Sequence, residues 1–295
     1  MARLVGSVKE DPVSNHPIAI FDSGLGGLSV VRHLRRLLPK ENLVYFGDTA
    51  RVPYGTKSRR TVVTFALEAA RFLLQFEPKL IVAACNTASA LAMNELRAEL
   101  PVPVIGVVEP GAHAAVHLSD GQPIAVIGTE ATIGSGAYPA AVHTASPEQP
   151  VVQIACPLFV PLVEEGRPGT DALVRLAVEE YLTPLRARGV RVLILGCTHY
   201  PLLRDAIAAF LGPEIEVVDS GRETSLVVEQ HLRQTDSLCG EKRHGSMHYY
   251  VSDNPNRFRQ VGARFLDEAL EHVEFVEPER YITPVALECH PGELG

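Results

Sequence analysis

Tryptophan is absent from this chain of 295 residues, and aromatic side chains make up only 6% of it. No Cys-x-x-Cys pair occurs. The cysteines, Cys85, Cys156, Cys197, Cys239 and Cys289, are odd in number and widely spaced. That pattern excludes a disulfide framework and an ordinary zinc site, and fits free thiols in a reducing cytoplasm. No window approaches about 18 uninterrupted apolar residues, so neither a transmembrane helix nor a membrane partner is expected. Positive charge is also short: the formal balance is −8. Phosphate backbones need a basic face, so nucleic acid is not an expected partner. Residues 1–16 lack the apolar core of a signal peptide and carry Lys9, Glu10 and Asp11. They read as a flexible N-terminal tail, and residues 284–295 as a loose C-terminal one.

What the chain does have is a core. Hydrophobic residues reach 46% against 21% charged. Short apolar runs at Ile18–Phe21, Leu43–Phe46, Leu80–Ala84, Val104–Val108, Ile124–Ile127, Val151–Ile154, Val192–Leu195 and Ile215–Val218 read as buried parallel strands. Helical patterns such as Leu28–Leu38, Thr61–Phe76, Ser89–Leu100 and Asp171–Arg188 lie between them. The alternation predicts an α/β fold with parallel sheets.

The runs also repeat. Ile18-Ala19-Ile20-Phe21-Asp22 is matched by Ile124-Ala125-Val126-Ile127-Gly128, and the next two runs follow in step. Each third run ends in cysteine, Ala84-Cys85-Asn86-Thr87 and Gly196-Cys197-Thr198-His199. This predicts two related halves. The expected division is a discontinuous first domain, 17–108 plus 220–283, and a second domain, 109–219. The strand-like Met247–Ser252, the helical Arg257–Leu270 and the short Val273–Val276 are expected to return and complete the first half.

In parallel α/β folds ligands sit at the carboxyl ends of strands, where Cys85 and Cys197 both fall. A lone cysteine there is usually a small buried hydrophobe. Two in matched positions would oppose each other across a cleft, as a redox pair, a metal site or two acid/base groups. Metal is disfavoured, because no nearby His and Cys have ligand spacing. The loop Phe21-Asp22-Ser23-Gly24-Leu25-Gly26-Gly27 partly imitates a dinucleotide fingerprint. Asp22 at its mouth would repel pyrophosphate but suits an ammonium group or a proton relay. Asp22 and Ser23 also suit capping of the next helix. Pro53-Tyr54-Gly55 is turn chemistry whose backbone N–H groups can bind a carboxylate. His199 lies two residues from Cys197 and can serve as its proton partner. Cys156 reads as core.

Taken together, FDSGLGGLSV (21–30), GDTARVPYG (47–55), ACNTAS (84–89), GCTHYPLL (196–203) and VDSG (218–221) resemble the glutamate racemases, within the cofactor-independent aspartate/glutamate racemase family. The resemblance covers nearly all of 17–275. Aspartate racemases tend to carry Glu where His199 stands. The resemblance implies two pseudo-symmetric α/β domains facing each other across the active site. It implies Cys85 and Cys197 as the acid/base thiols, Cys85 for the D-enantiomer and Cys197 for the L-enantiomer, with Asp22 and His199 as their partners and Glu164 as a further acid. It also implies Asp22, Ser23, Tyr54, Gly55, Asn86, Thr87, Thr198 and His199 as substrate contacts. Neither a cofactor nor a metal is called for. L- or D-glutamate is the expected small-molecule substrate, a homodimer the expected assembly, and D-glutamate for peptidoglycan the expected use.

The chemistry explains the pair. Inverting Cα removes a proton from one face and returns one to the other, which suits two opposed groups. Without pyridoxal phosphate there is no electron sink, so donors around the α-carboxylate must stabilise the developing charge. Helix N-termini behind both cysteines are expected to favour the thiolates. The competing enzyme is an aspartate racemase; the competing classes are a thiol-redox protein and a non-catalytic binding protein.

Overall fold

The computed structural model describes residues 13–240 and 243–282. Residues 1–12 and 284–295, with Cys289, lie outside the described residues. Ten strands form two sheets. The first contains β1 (Ile18–Asp22), β2 (Leu43–Gly47), β3 (Leu80–Ala83) and β4 (Val104–Gly106), and the second β5 (Ile124–Gly128), β6 (Val151–Ala155), β7 (Val192–Gly196) and β8 (Glu216–Asp219). Two more, β9 (Met247–Val251) and β10 (Val273–Phe275), come back to the first sheet. The orders are β10-β9-β2-β1-β3-β4 and β6-β5-β7-β8, with every pairing parallel. Without β9 and β10, the two sheets share one topology, each first strand lying between its second and third. The protein is an α/β fold of two parallel-sheet domains.

β1 shows why unbroken apolar runs mark these strands. Ile18 and Ile20 pack on one face of the sheet against Leu28, Val31 and Leu34. Ala19 and Phe21 pack on the other, against Val62, Ala66 and Phe72. Successive side chains point to opposite faces, and both faces are covered by helices, so no position is left for a polar residue. The same burial holds along β5 and β7, while the edge strand β6 is only half-buried throughout.

Three local expectations change. The helical stretch placed at Ser89–Leu100 is two helices, Asn86–Leu91 and Met93–Glu99, broken at Ala92. The first begins directly after Cys85, which puts Asn86 and Thr87 at a helix N-terminus, as expected. The long helix Asp171–Arg188 ends at Leu182, because Pro184 has no N–H to continue the ladder. Residues 13–16, assigned to a flexible tail, are anchored. Val13–Asn15 is a single 3-10 turn, Lys79 donates to Ser14 O at 2.8 Å, and Asn42 donates to Asn15 O at 2.8 Å.

The connection from β8 to the helix Ser220–Gln234 explains the VDSG stretch. Asp219 caps that helix, accepting from Gly221 N at 2.9 Å and Arg222 N at 3.4 Å. Its other oxygen meets His33 Nε2 at 3.1 Å. A Cβ on Gly221 would lie 3.1 Å from Val30, so the glycine lets this helix seat against Leu28–Leu37.

Candidate active site

The carboxyl ends of β1, β3 and β7 meet at one place. Cys85 follows β3 and occupies the N-cap of Asn86–Leu91; Cys197 follows β7. Both are nearly buried, each 6% exposed. They lie within electrostatic reach, since a charge on Cys197 raises the pKa of Cys85.

Their surroundings differ. The Cys85 sulfur is 3.6 Å from Ser23 Oγ. Burial is the main influence on this thiol, and the Asp22 charge adds to it; the Ala88 backbone N–H and Ser23 pull the other way. The net effect pushes it up to about 12. Against expectation, then, desolvation outweighs the helix N-terminus. On the other side no α-helix starts behind Cys197: a 3-10 turn, Tyr200–Leu203, intervenes. His199 stands in its place, Nδ1 lying 3.9 Å from the Cys197 sulfur and Nε2 3.0 Å from Glu164 Oε1. Burial pulls the imidazole down, but the hydrogen bonds and charges of Cys197 and Glu164 outweigh it and raise it to about 10. Phe265 closes the ring edge-on, centroids 5.4 Å apart.

Asp22 ends β1 and is fully buried. One oxygen accepts from Gly24 N at 2.8 Å; the other, Oδ1, has no hydrogen-bond partner among the described residues. Burial raises its pKa, opposed by His199 and by the Gly24 and Gly27 N–H groups. It does not bond the Cys85 sulfur; Ser23 does. A buried carboxylate oxygen without a donor is costly, and a substrate ammonium would satisfy it.

The remaining positions gather here with one qualification. Asn86 and Thr87 are each 2% exposed, Thr198 6% and His199 5%. Thr87 Oγ1 is 3.0 Å from Thr129 Oγ1 and 3.1 Å from Thr132 Oγ1, a hydroxyl cluster joining the two domains. Gly55 abuts the same place: a Cβ there would lie 2.7 Å from Thr129 Cβ. Tyr54, by contrast, turns its hydroxyl away, donating to Asp48 Oδ2 at 2.5 Å. Asp48 also accepts from Arg51 Nε at 2.7 Å and Ser252 Oγ at 2.9 Å. Tyr54 can therefore offer a ligand only its backbone, with Asp48 shaping the turn.

Thr129, Thr132, Tyr138 and Arg257 are site neighbours that the sequence did not single out. Thr129 carried one signal, since it follows β5 directly, as Ser23 follows β1. Arg257 reaches Glu164 at 3.7 Å. Among the described residues no group of three or more His, Cys, Asp or Glu could hold a metal ion.

The first loop carries glycine where Thr198 and His199 approach it. A Cβ on Gly26 would lie 2.2 Å from Thr198 Oγ1 and 2.6 Å from the His199 ring. Gly26→Ala is expected to hold the domains apart and lower kcat/KM by about 100-fold. Because the clash can be relieved by opening, the melting temperature should change little. Steady-state kinetics beside a thermal melt check this; unchanged kinetics would show that the close approach is not required.

The Asp/Glu/Hydantoin racemase family model matches residues 25–224. The chain is 49% identical over 262 residues to a glutamate racemase of Geobacter metallireducens, covering 89% of this chain and 97% of that protein. Among solved structures it is similar to the glutamate racemase of Francisella tularensis in complex with D-glutamate, at a TM-score of 0.84 and 39% identity, covering 91% of this chain and all of that one. The Thermus thermophilus glutamate racemase in complex with β-chloro-D-alanine gives 0.83 and 45%, covering 90% and 99%.

Proposed function

The chain belongs to the Asp/Glu/hydantoin racemase family and is an amino-acid racemase, and from that membership and its site we propose that it interconverts L- and D-glutamate by proton transfer between Cys85 and Cys197. The carrying observation is the pair of nearly buried thiols on equivalent strands of two domains with the same topology, each with its own polar partner.

In one direction the Cys197 thiolate, held by the His199 imidazolium, takes the α-proton: the Cα–H bond breaks and S–H forms. Negative charge spreads into the carboxylate. The Cys85 thiol then gives its proton to the opposite face, leaving Cys85 as thiolate. The reverse reaction exchanges the roles. The carboxylate is served by donors from Asn86 and Thr198 and the ammonium by Asp22. The hydroxyls of Thr87, Thr129 and Thr132, with the backbone at Tyr54 and Gly55, serve the distal carboxylate. Donors preset where charge develops cost no reorganisation during the reaction. Near-complete burial excludes water, so the site must open for exchange of substrate and product.

His199 makes pH a test. In the proposed reaction its proton is needed, so kcat/KM should fall as pH rises through about 10. Glu164→Gln removes a negative charge that holds this proton, and the alkaline limb should move to lower pH. A limb that stays in place would remove Glu164 from the relay. The same raised pKa gives stability that is full below about pH 6.5 and lost as pH rises through about 10.

The function itself is tested by incubating the protein with L-glutamate in D₂O under reducing conditions, following optical rotation and α-proton loss. Exchange with decay of rotation supports glutamate racemisation. Exchange on aspartate alone would keep the mechanism and change the substrate. No exchange on either would sink the proposal. Supply of D-glutamate for peptidoglycan from a cytoplasmic homodimer completes this reading; its support is the family resemblance and the odd number and wide spacing of the cysteines.

A further inference from the structure

Asn86 is held by a residue from the other domain. Tyr138, in the helix Ala137–Ala145, is fully buried and donates its hydroxyl proton to Asn86 Oδ1 at 2.6 Å. Asn86 Nδ2 is buried as well, and it has no hydrogen-bond partner among the described residues. An amide can turn over end for end, exchanging acceptor and donors at almost no steric cost. Something must choose between the two orientations. A phenol both donates and accepts, and here it is the proton that faces the amide, at 2.6 Å from Oδ1, which leaves the NH₂ end turned away. Burial raises Tyr138 well above the ordinary phenol range, so the proton stays on, and Ser220 flanks the same hydroxyl.

We infer that Tyr138 is a positioning residue: its hydroxyl fixes the Asn86 amide with the NH₂ end free for the substrate carboxylate. This rests on the racemase reading above and adds a residue that never touches substrate. The bond crosses the domain boundary, so the donor is set only when Asn86–Leu91 and Ala137–Ala145 are together. Closure then builds part of the carboxylate site, and the buried NH₂ group waits for an acceptor it does not find in the protein.

The test is a double-mutant cycle. Tyr138→Phe keeps the ring, and with it the packing, but leaves the amide free to turn over. It should lower kcat/KM by about 10-fold; Asn86→Ala, which removes the donor, by about 100-fold. In the Asn86→Ala background, Tyr138→Phe should cost less than about twofold, because there is no amide left to orient. Thermal melts accompany each variant. A hydroxyl that merely ties the domains would lower the melting temperature and multiply with Asn86→Ala to about 1000-fold. That product, or a Tyr138→Phe protein as active as the wild type, overturns the inference and leaves the racemase reading intact. A wild type inert toward glutamate overturns both.

Discussion

Cys85→Ala and Cys197→Ala should each lower glutamate racemisation by about 1000-fold or more, within the range for loss of a positioned acid or base. The reason is stereochemical as well as energetic. A single remaining thiol can remove the α-proton from one enantiomer, but it can return a proton only to the face it came from. Residual solvent exchange should therefore occur with retention. The Cys197-only protein should exchange the L-enantiomer's proton and the Cys85-only protein the D-enantiomer's. Proton NMR in D₂O, run separately on each enantiomer beside polarimetry, reads both quantities. Inversion persisting at even a tenth of the wild-type rate in either variant would remove that cysteine from the mechanism. Both sulfurs are small and buried, so alanine should leave the fold intact. Their unequal partners predict a second asymmetry. Loss of the His199–Glu164 arrangement should affect the Cys197 side first, because the Cys85 sulfur is served instead by Ser23 and the Ala88 N–H, with the Asp22 charge nearby.

The largest expected effect on stability lies at the far end of the same strand. Lys79 and Glu41 are 1% and 2% exposed at their side chains, with Nζ 2.5 Å from Oε2. Lys79 also donates to Ser14 O and Ser237 O, both at 2.8 Å, and Glu41 Oε1 accepts from Cys239 N at 2.8 Å. The pair thus pins three remote segments to the start of β3. Lys79→Met leaves a carboxylate buried without its cation, at a cost of about 3–5 kcal/mol. That corresponds to a fall of roughly 10 °C in melting temperature. Adding Glu41→Met should restore much of the loss, because the desolvation penalty disappears with the charge. Racemisation at low temperature should be unaffected, since Lys79 precedes β3 and Cys85 follows it. A Lys79→Met protein melting within a few degrees of the wild type would show that the pair contributes little.

The strands and both thiols were legible in the sequence because their signals are local. An apolar run covered on both faces cannot hide, and a cysteine at the end of such a run is placed by the run itself. Asp22, Asn86 and His199 were singled out in the same way, each within a few residues of a strand end, whereas Thr198 came only from the family resemblance. Tyr138 was not. It sits among small residues in Ala137–Ala145, 52 residues from Asn86, and only the packing of one domain on the other gives its hydroxyl a partner. Thr129, Thr132 and Arg257 are of the same kind. Tyr54 was located correctly as a turn residue, but the direction of its hydroxyl depended on Asp48 and Ser252, which the sheet brings together.

The sequence by itself determined the α/β class, the internal repeat and the pair of strand-end cysteines, because periodicity and the chemistry of strand ends are properties of short segments. Tertiary structure alone decided the electrostatics. The helix start behind Cys85 argued for an easily formed thiolate, yet burial and Asp22 push that thiol up to about 12. It likewise decided that Lys79 and Glu41 are a buried pair rather than two surface charges. Desolvation depends on everything packed around a group, and no local pattern in the chain records that.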